Sequence, residues 1–322
     1  MTEFLKGEKA LAAPAPPLAV GFARLKLFLA LSRTPHGLLD LATPALAALL
    51  WLGGLPPWGV TALGLLTVFA GYTAVYALND LVDYRLDREK LRLQKSGEQP
   101  GYLDAVFRRH PLAAGQVSLK EGLAWTGAWA AVALAGAYRL NPVCALIFLA
   151  GCFLEAGYCL LLRVSHLRVL VSGLVKTLGG MAAVLAVDPE PAPGFLLLLC
   201  GWLFFWEIGG QNVPADWHDL AEDRALAAQT VPVRYGPRGA SFIALGALTL
   251  SVVLSAPLLW LAPGHFSLLR LGLALGAGLY LLLLPALGLY RTRGKAQAAA
   301  LFNRASYYPL AILALVFLGL LG

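Results

Sequence analysis

The chain has 322 residues, of which 59% are apolar and 13% charged, about half the charged share of an ordinary soluble domain. Despite Gly 34 and Pro 20, this apolar content excludes disorder, and four cysteines with so little charge exclude a disulfide scaffold and a charged coiled coil. A polytopic membrane protein is the leading class, because a bilayer can take apolar surface that a soluble core of this length cannot hide.

A membrane-spanning helix needs roughly 20 mostly apolar residues. Nine stretches qualify: about 37–54, 58–78, 122–138, 142–162, 168–187, 194–210, 239–261, 268–290 and 302–321. Pro and Gly punctuate the joins, as in Asn141-Pro142 and Pro263-Gly264. Two joins are long, 79–121 and 211–238. Residues 1–24 carry Lys6 and Lys9 ahead of Ala-Pro-rich sequence, with no apolar core and cleavage site of a secretory signal. They read as a flexible cytoplasmic tail, followed by one membrane domain over 25–322 and no soluble domain.

Charge orients the chain. With the N-terminus in the cytoplasm, 22 of the 25 Lys and Arg fall on that side, leaving Arg139 and Arg270 outside and Lys176 within a span. The net charge of +7 is therefore mostly topology, and the dispersed basic residues do not imply nucleic acid. The expected location is the cell (inner) membrane. Cys144, Cys152, Cys159 and Cys200 lie in apolar spans without zinc spacing and read as packing residues.

The two long loops carry matching acids. Asp80, Asp83 and Asp87 follow Asn79, and Asp216, Asp219 and Asp223 follow Asn212, four positions before Asp216. Both triplets have the spacing 0, 3, 7, both are followed by Arg, and they are 136 residues apart, an internal repeat. That spacing puts three carboxylates on one helical face, where like charges repel. Mg2+, a hard cation that favours carboxylates and phosphate oxygens together, is the natural partner. One such triplet alone would read as a solvated helix end or as partners for nearby Arg. Two copies, each at the cytoplasmic end of a span, point to two facing acidic helices with a diphosphate between them.

These residues resemble the UbiA superfamily of intramembrane prenyltransferases. Asn79, Asp80, Asp83 and Asp87 match its first motif, and Asp216, Asp219 and Asp223 its second. The stretch from Asp223-Arg224 through Thr230-Val231-Pro232 to Gly236 is similar to many members, as is Pro111-Leu112 through Gly115 to Ser118 after Arg109. The chain departs from the family in four places. His110 is inserted before Pro111, and the segment 88–108 is about ten residues long for the family. Leu162 then Arg163 stands where many members have Lys four residues after Tyr158, and Trp206 to Gln211 matches no subgroup.

The resemblance implies an all-α polytopic fold, with nine transmembrane helices in two pseudo-repeats around a central cavity. It implies Mg2+-dependent transfer of a prenyl group from a polyprenyl diphosphate to a hydrophobic or aromatic acceptor, commonly a quinone precursor, through an allylic cation. The six Asp would be the catalytic metal ligands. Asn79, Asn212, Arg33, Arg109, Arg163, Lys176 and Tyr158 are the candidate substrate-binding residues. Lys176 has a competing reading as a partner of Glu155 or Glu207. Asp40, Glu155 and Glu207 also lie within spans, where ionisable groups are costly, and any of them is a candidate to orient or deprotonate an acceptor. Other acceptors or donors stay open: sugar phosphate with polyprenyl phosphate, tetrapyrrole, or glycerol phosphate. A transporter for a cation or lipid is the rival class. Its site would lie at the bilayer midplane, whereas these acids begin at span ends.

Overall fold

A computed structural model describes residues 17–93, 103, 110–263 and 267–321. Among these the regular secondary structure is all helix, with no strand. In order the helices are α1 (Pro17–Leu31), α2 (Thr34–Leu52), α3 (Trp58–Val82), α4 (Tyr84–Leu93), α5 (Leu119–Leu140), α6 (Pro142–Leu160), α7 (Arg168–Val187), α8 (Pro193–His218), α9 (Leu220–Ala225), α10 (Val231–Leu261), α11 (Leu268–Thr292) and α12 (Lys295–Leu320). Eight of them (α2, α3, α6, α7, α8, α10, α11 and α12) are long and apolar enough to cross a membrane. The ninth expected span is α5, 22 residues long, whose Lys120, Glu121 and Arg139 sit near its ends. The protein is a multi-pass membrane protein.

Local chemistry starts and stops these helices. Ser118 caps α5 in a capping box, accepting from the Glu121 backbone N–H while the Glu121 side chain accepts from that of Ser118. Asn141 caps α6 through the Val143 N–H, directly before Pro142. The outer surfaces are apolar: only 22% of α6 is buried, and Leu146, Leu149, Phe153 and Leu160 all face outward. Helices with satisfied backbones and bare apolar sides suit lipid.

The second half packs around α8. Trp202, Trp206, Leu199 and Leu203 are buried among α10, α12 and α7, and the Trp206 indole donates to the Ala305 carbonyl at 3.0 Å. Glu207–Asn212 is a π-helical turn within α8. Pro214 follows it and has no N–H to offer the Gly210 carbonyl, so the wider turn falls where α-helical bonding would fail anyway. A second π turn, Leu279–Leu283, likewise precedes Pro285. In the first turn Gly209 lies so close to α10 that a Cβ there would sit 2.7 Å from the Ala244 carbonyl oxygen.

Two readings of the sequence need adjusting. The stretch 211–238 is mostly helix, since α8 runs on to His218 and α10 begins at Val231. The acids lie on helix ends, as their spacing predicts. Residues 17–24, read as part of the tail, belong to α1; residues 1–16 lie outside the described residues.

Candidate active site

Each acidic triplet straddles a helix break at its middle member. Asp83 (φ −82°, ψ 1°) separates α3 from α4, and Asp219 (φ −96°, ψ 12°) separates α8 from α9. The repeat seen in sequence is thus a repeat of backbone form. The breaks turn both triplets onto a polar cavity of about 190 Å³. Asp83, Asp87, Asp216, Asp219, Glu155 and Glu207 line it, against Arg33, Lys90, Arg168 and Lys176. Asp80 and Asp223 are buried beside it.

In the first motif, Arg33 donates to the Asn79 side-chain oxygen at 3.1 Å and to Asp80 at 3.3 Å. Asn79 in turn donates to Glu155 at 2.6 Å. Arg33 holds a left-handed backbone (φ 44°) between α1 and α2, an uncommon conformation for a non-glycine residue. His110, also left-handed (φ 52°), places Nδ1 2.8 Å from Asp87 and 3.5 Å from Asp80. Ligand atoms of Asp80, Asp87 and His110 all lie within 4.8 Å of one another.

The second motif is built alike. Arg168, at the start of α7, reaches Asp216 at 3.3 Å and stacks 3.8 Å from the centre of the Tyr158 ring. Asn212 donates to the Tyr158 hydroxyl at 2.8 Å. Lys90 of α4 crosses between the halves, 2.8 Å from Asp223 and 3.6 Å from Asp219.

Protein cations thus hold the acids together, and protonation follows. Burial pulls the His110 imidazole down, but Asp87 and Asp80 outweigh it and push it up to about 9. Burial and the neighbouring Asp87 carry Asp83 up to about 6. Burial also raises Asp223, while Lys90 is raised by Asp219 and Asp223 against its own burial. The folded chain holds the His110 proton more tightly than the unfolded chain does. Its stabilisation is therefore full below the ordinary imidazole value of 6.5 and lost as pH rises through about 9. In EDTA the melting temperature is expected to fall across that window and His110→Gln to flatten the fall; an equal slope in the variant would exclude this origin.

The other candidates divide. Lys176 is buried between Asp40 at 2.8 Å and Glu207 at 3.8 Å, so of the two partners weighed, Glu155 and Glu207, it meets Glu207 and adds Asp40. Tyr158 lines the cavity. Arg163 does not: it is exposed, paired with Glu89 and donating to the Leu226 carbonyl. Arg109 lies outside the described residues, as does most of 88–108. Sequence reasoning missed Arg168 and Lys90. The repeat itself carried the signal for Arg168, since the 136-residue offset takes Arg33 to position 169, its immediate neighbour.

A second cavity, about 580 Å³ and almost wholly apolar, continues from the first. Tyr72, Val75 and Val175 line both. Beyond them it is walled by residues such as Leu49, Leu65, Phe148, Leu178 and Leu313.

The fold is shared with solved structures. A UbiA homolog from Aeropyrum pernix K1 in its apo form is 23% identical with a TM-score of 0.68, covering 88% of this chain and 97% of that one. A UbiA homolog from Archaeoglobus fulgidus bound to DMAPP and Mg2+ is 18% identical with a TM-score of 0.66, covering 91% and 98%. A digeranylgeranylglyceryl phosphate synthase is 16% identical with a TM-score of 0.64, covering 92% and 99%. No curated protein matches in sequence. The model of the UbiA prenyltransferase family matches residues 41–307, most of the chain and both acidic motifs, and the chain belongs to that family.

Proposed function

We propose that the protein is a Mg2+-dependent prenyltransferase that moves a prenyl group from a polyprenyl diphosphate to an aromatic acceptor such as a quinone precursor, releasing diphosphate. One observation carries this reading: two acidic triplets on broken helix ends face one polar cavity, and that cavity runs on into an apolar one. A diphosphate head with a long apolar tail has the matching shape and polarity. The solved homolog bound to DMAPP and Mg2+ supports the same pairing.

The donor set fits the metal. The cavity has more carboxylates than Lys and Arg, the six aspartates offer only oxygen, and Asp216 Oδ2 is buried without a hydrogen-bond partner. Asp80, Asp83 and Asp87 would hold Mg2+ on one side and Asp216, Asp219 and Asp223 on the other. When bound, Mg2+ supplies electrophilic stabilisation of the charge that grows on the leaving diphosphate. Arg33, Lys90 and Arg168 line the same cavity and would offer N–H groups to the diphosphate oxygens as well as to the aspartates. Asn79 and Asn212 fix the flanking Glu155 and Tyr158 side chains. The apolar walls keep water from the allylic cation formed when the C–O bond breaks.

The cell membrane is the proposed location, with the N-terminus and both acidic motifs on the cytoplasmic side, and residues 25–322 acting as one domain. The test is direct. Purified protein with geranylgeranyl diphosphate, an extract of bacterial lipids and Mg2+ is expected to release pyrophosphate and yield a prenylated product by mass spectrometry. EDTA should stop both. Ion movement across liposomes with no pyrophosphate release would favour a transporter instead.

A further inference from the structure

Lys176 and Glu207 line the polar cavity, and the diphosphate reading leaves both unused. Asp40 and Lys176 are buried in facing helices, α2 and α7, and their ends lie 2.8 Å apart. Glu207 reaches the same ammonium at 3.8 Å and accepts from the Ser172 hydroxyl at 2.8 Å. Asp40 also accepts from the Tyr76 hydroxyl and lies 3.8 Å from His36 Nε2. Lys176 is covered by the rings of Trp206 and Tyr72, 5.2 and 5.5 Å away. Its charge is thus met by two carboxylates and two aromatic faces. Elsewhere on the cavity wall Arg33, Lys90 and Arg168 are each paired with an aspartate. A carboxylate on an acceptor would find every described cation of the wall already matched.

A hydroxyl would fare differently. Glu207 lines the cavity with an oxygen to offer. Tyr72 lines both the polar and the apolar cavity, and its buried hydroxyl, beside Gly179, has no hydrogen-bond partner. An uncharged ring with an O–H group has one group to donate to and one to accept from.

Resting on the prenyl-transfer reading, we propose that the acceptor is an uncharged, hydroxyl-bearing aromatic molecule seated between Tyr72 and Glu207, and that Glu207 takes the proton it gives up. In that step the C1–O bond of the allylic diphosphate breaks, its electron pair leaving with the diphosphate. The acceptor ring supplies the pair for the new bond to C1 and loses one proton. The Glu207 carboxylate receives that proton and passes it to water at the cavity mouth. Asp40 is a positioning residue that keeps Lys176 from recruiting an anion.

The test uses the full chain in detergent, loaded with Mg2+ and geranyl thiodiphosphate, and two probes that differ by one carboxylate, 2-naphthol and 3-hydroxy-2-naphthoate. The carboxylate is expected to weaken binding by at least about tenfold, because it is desolvated without a free counter-charge. Asp40→Asn, which gives Lys176 charge to spare, should narrow that gap. Glu207→Gln should lower kcat for 2-naphthol prenylation by about 100-fold, the usual scale of a lost general base, while KM for geranyl diphosphate holds. Equal or tighter binding of the carboxylate, no saturable binding of either probe, an unchanged gap in Asp40→Asn, or no prenylation of 2-naphthol would each overturn the assignment. If Asp40→Asn no longer binds the thiodiphosphate, Asp40→Ser with the same readout takes its place. Failure of the parent chain to bind the thiodiphosphate with Mg2+ would instead sink the prenyl-transfer reading beneath it.

Discussion

Asp216→Ala is expected to lower Mg2+-dependent diphosphate release by about a thousandfold, a loss of roughly 4 kcal/mol of transition-state stabilisation. The carboxylate opens the second motif, one oxygen near Arg168 and the other without a hydrogen-bond partner. Removing it takes a ligand from the proposed metal and a partner from a buried guanidinium. The second loss alone can destabilise a protein. Asp216→Asn separates the two effects, since it keeps the side chain's shape and an oxygen toward Arg168. It should melt near the parent's temperature and still fail to turn over. Asp80→Ala should match Asp216→Ala, because the first motif mirrors the second. A rate above a tenth of the parent's in a folded variant at either position would end the two-motif mechanism.

Arg168→Met is expected to cost about 100-fold in rate, while Arg163→Ala stays within about twofold of the parent. The two arginines are five residues apart and sit in opposite settings. Arg163 is exposed and paired with Glu89. Arg168 is buried, stacked on Tyr158 and aimed at Asp216. Arg168→Lys should recover little, because an ammonium cannot both stack flat on the ring and reach the carboxylate. Steady-state rates with saturating prenyl diphosphate read this directly. Equal losses at 163 and 168 would show that the buried position has no special part.

The acids were legible in the sequence for a physical reason. In a chain this poor in charge, two triplets with one spacing stand out, and helical geometry places each on a single face. The spans were legible for the same reason, since twenty apolar residues admit few other fates. The cations were not. Arg168 lies at a span boundary, where positive charge ordinarily marks topology, and only the fold brings it under Tyr158. Lys90 sits in a strongly polar stretch that reads as a solvated helix, yet it closes on Asp219 and Asp223 from the other half. The π turn at Glu207 depends on Pro214 and on the packing of Gly209 against α10, so its aim into the cavity is a property of the tertiary structure. Asp40 and Lys176 are 136 residues apart, the spacing of the acidic motifs, so their contact joins equivalent positions of the two halves.

That contact bears on how the two halves fit together. Were both aspartate, or both lysine, the same meeting point would set like charges together in a dry interior. Opposite charges there make each half complementary to the other and unsuited to a copy of itself. The pair is thus a key between the halves: unlike charges at symmetric positions fit each half to the other, where like charges would push them apart.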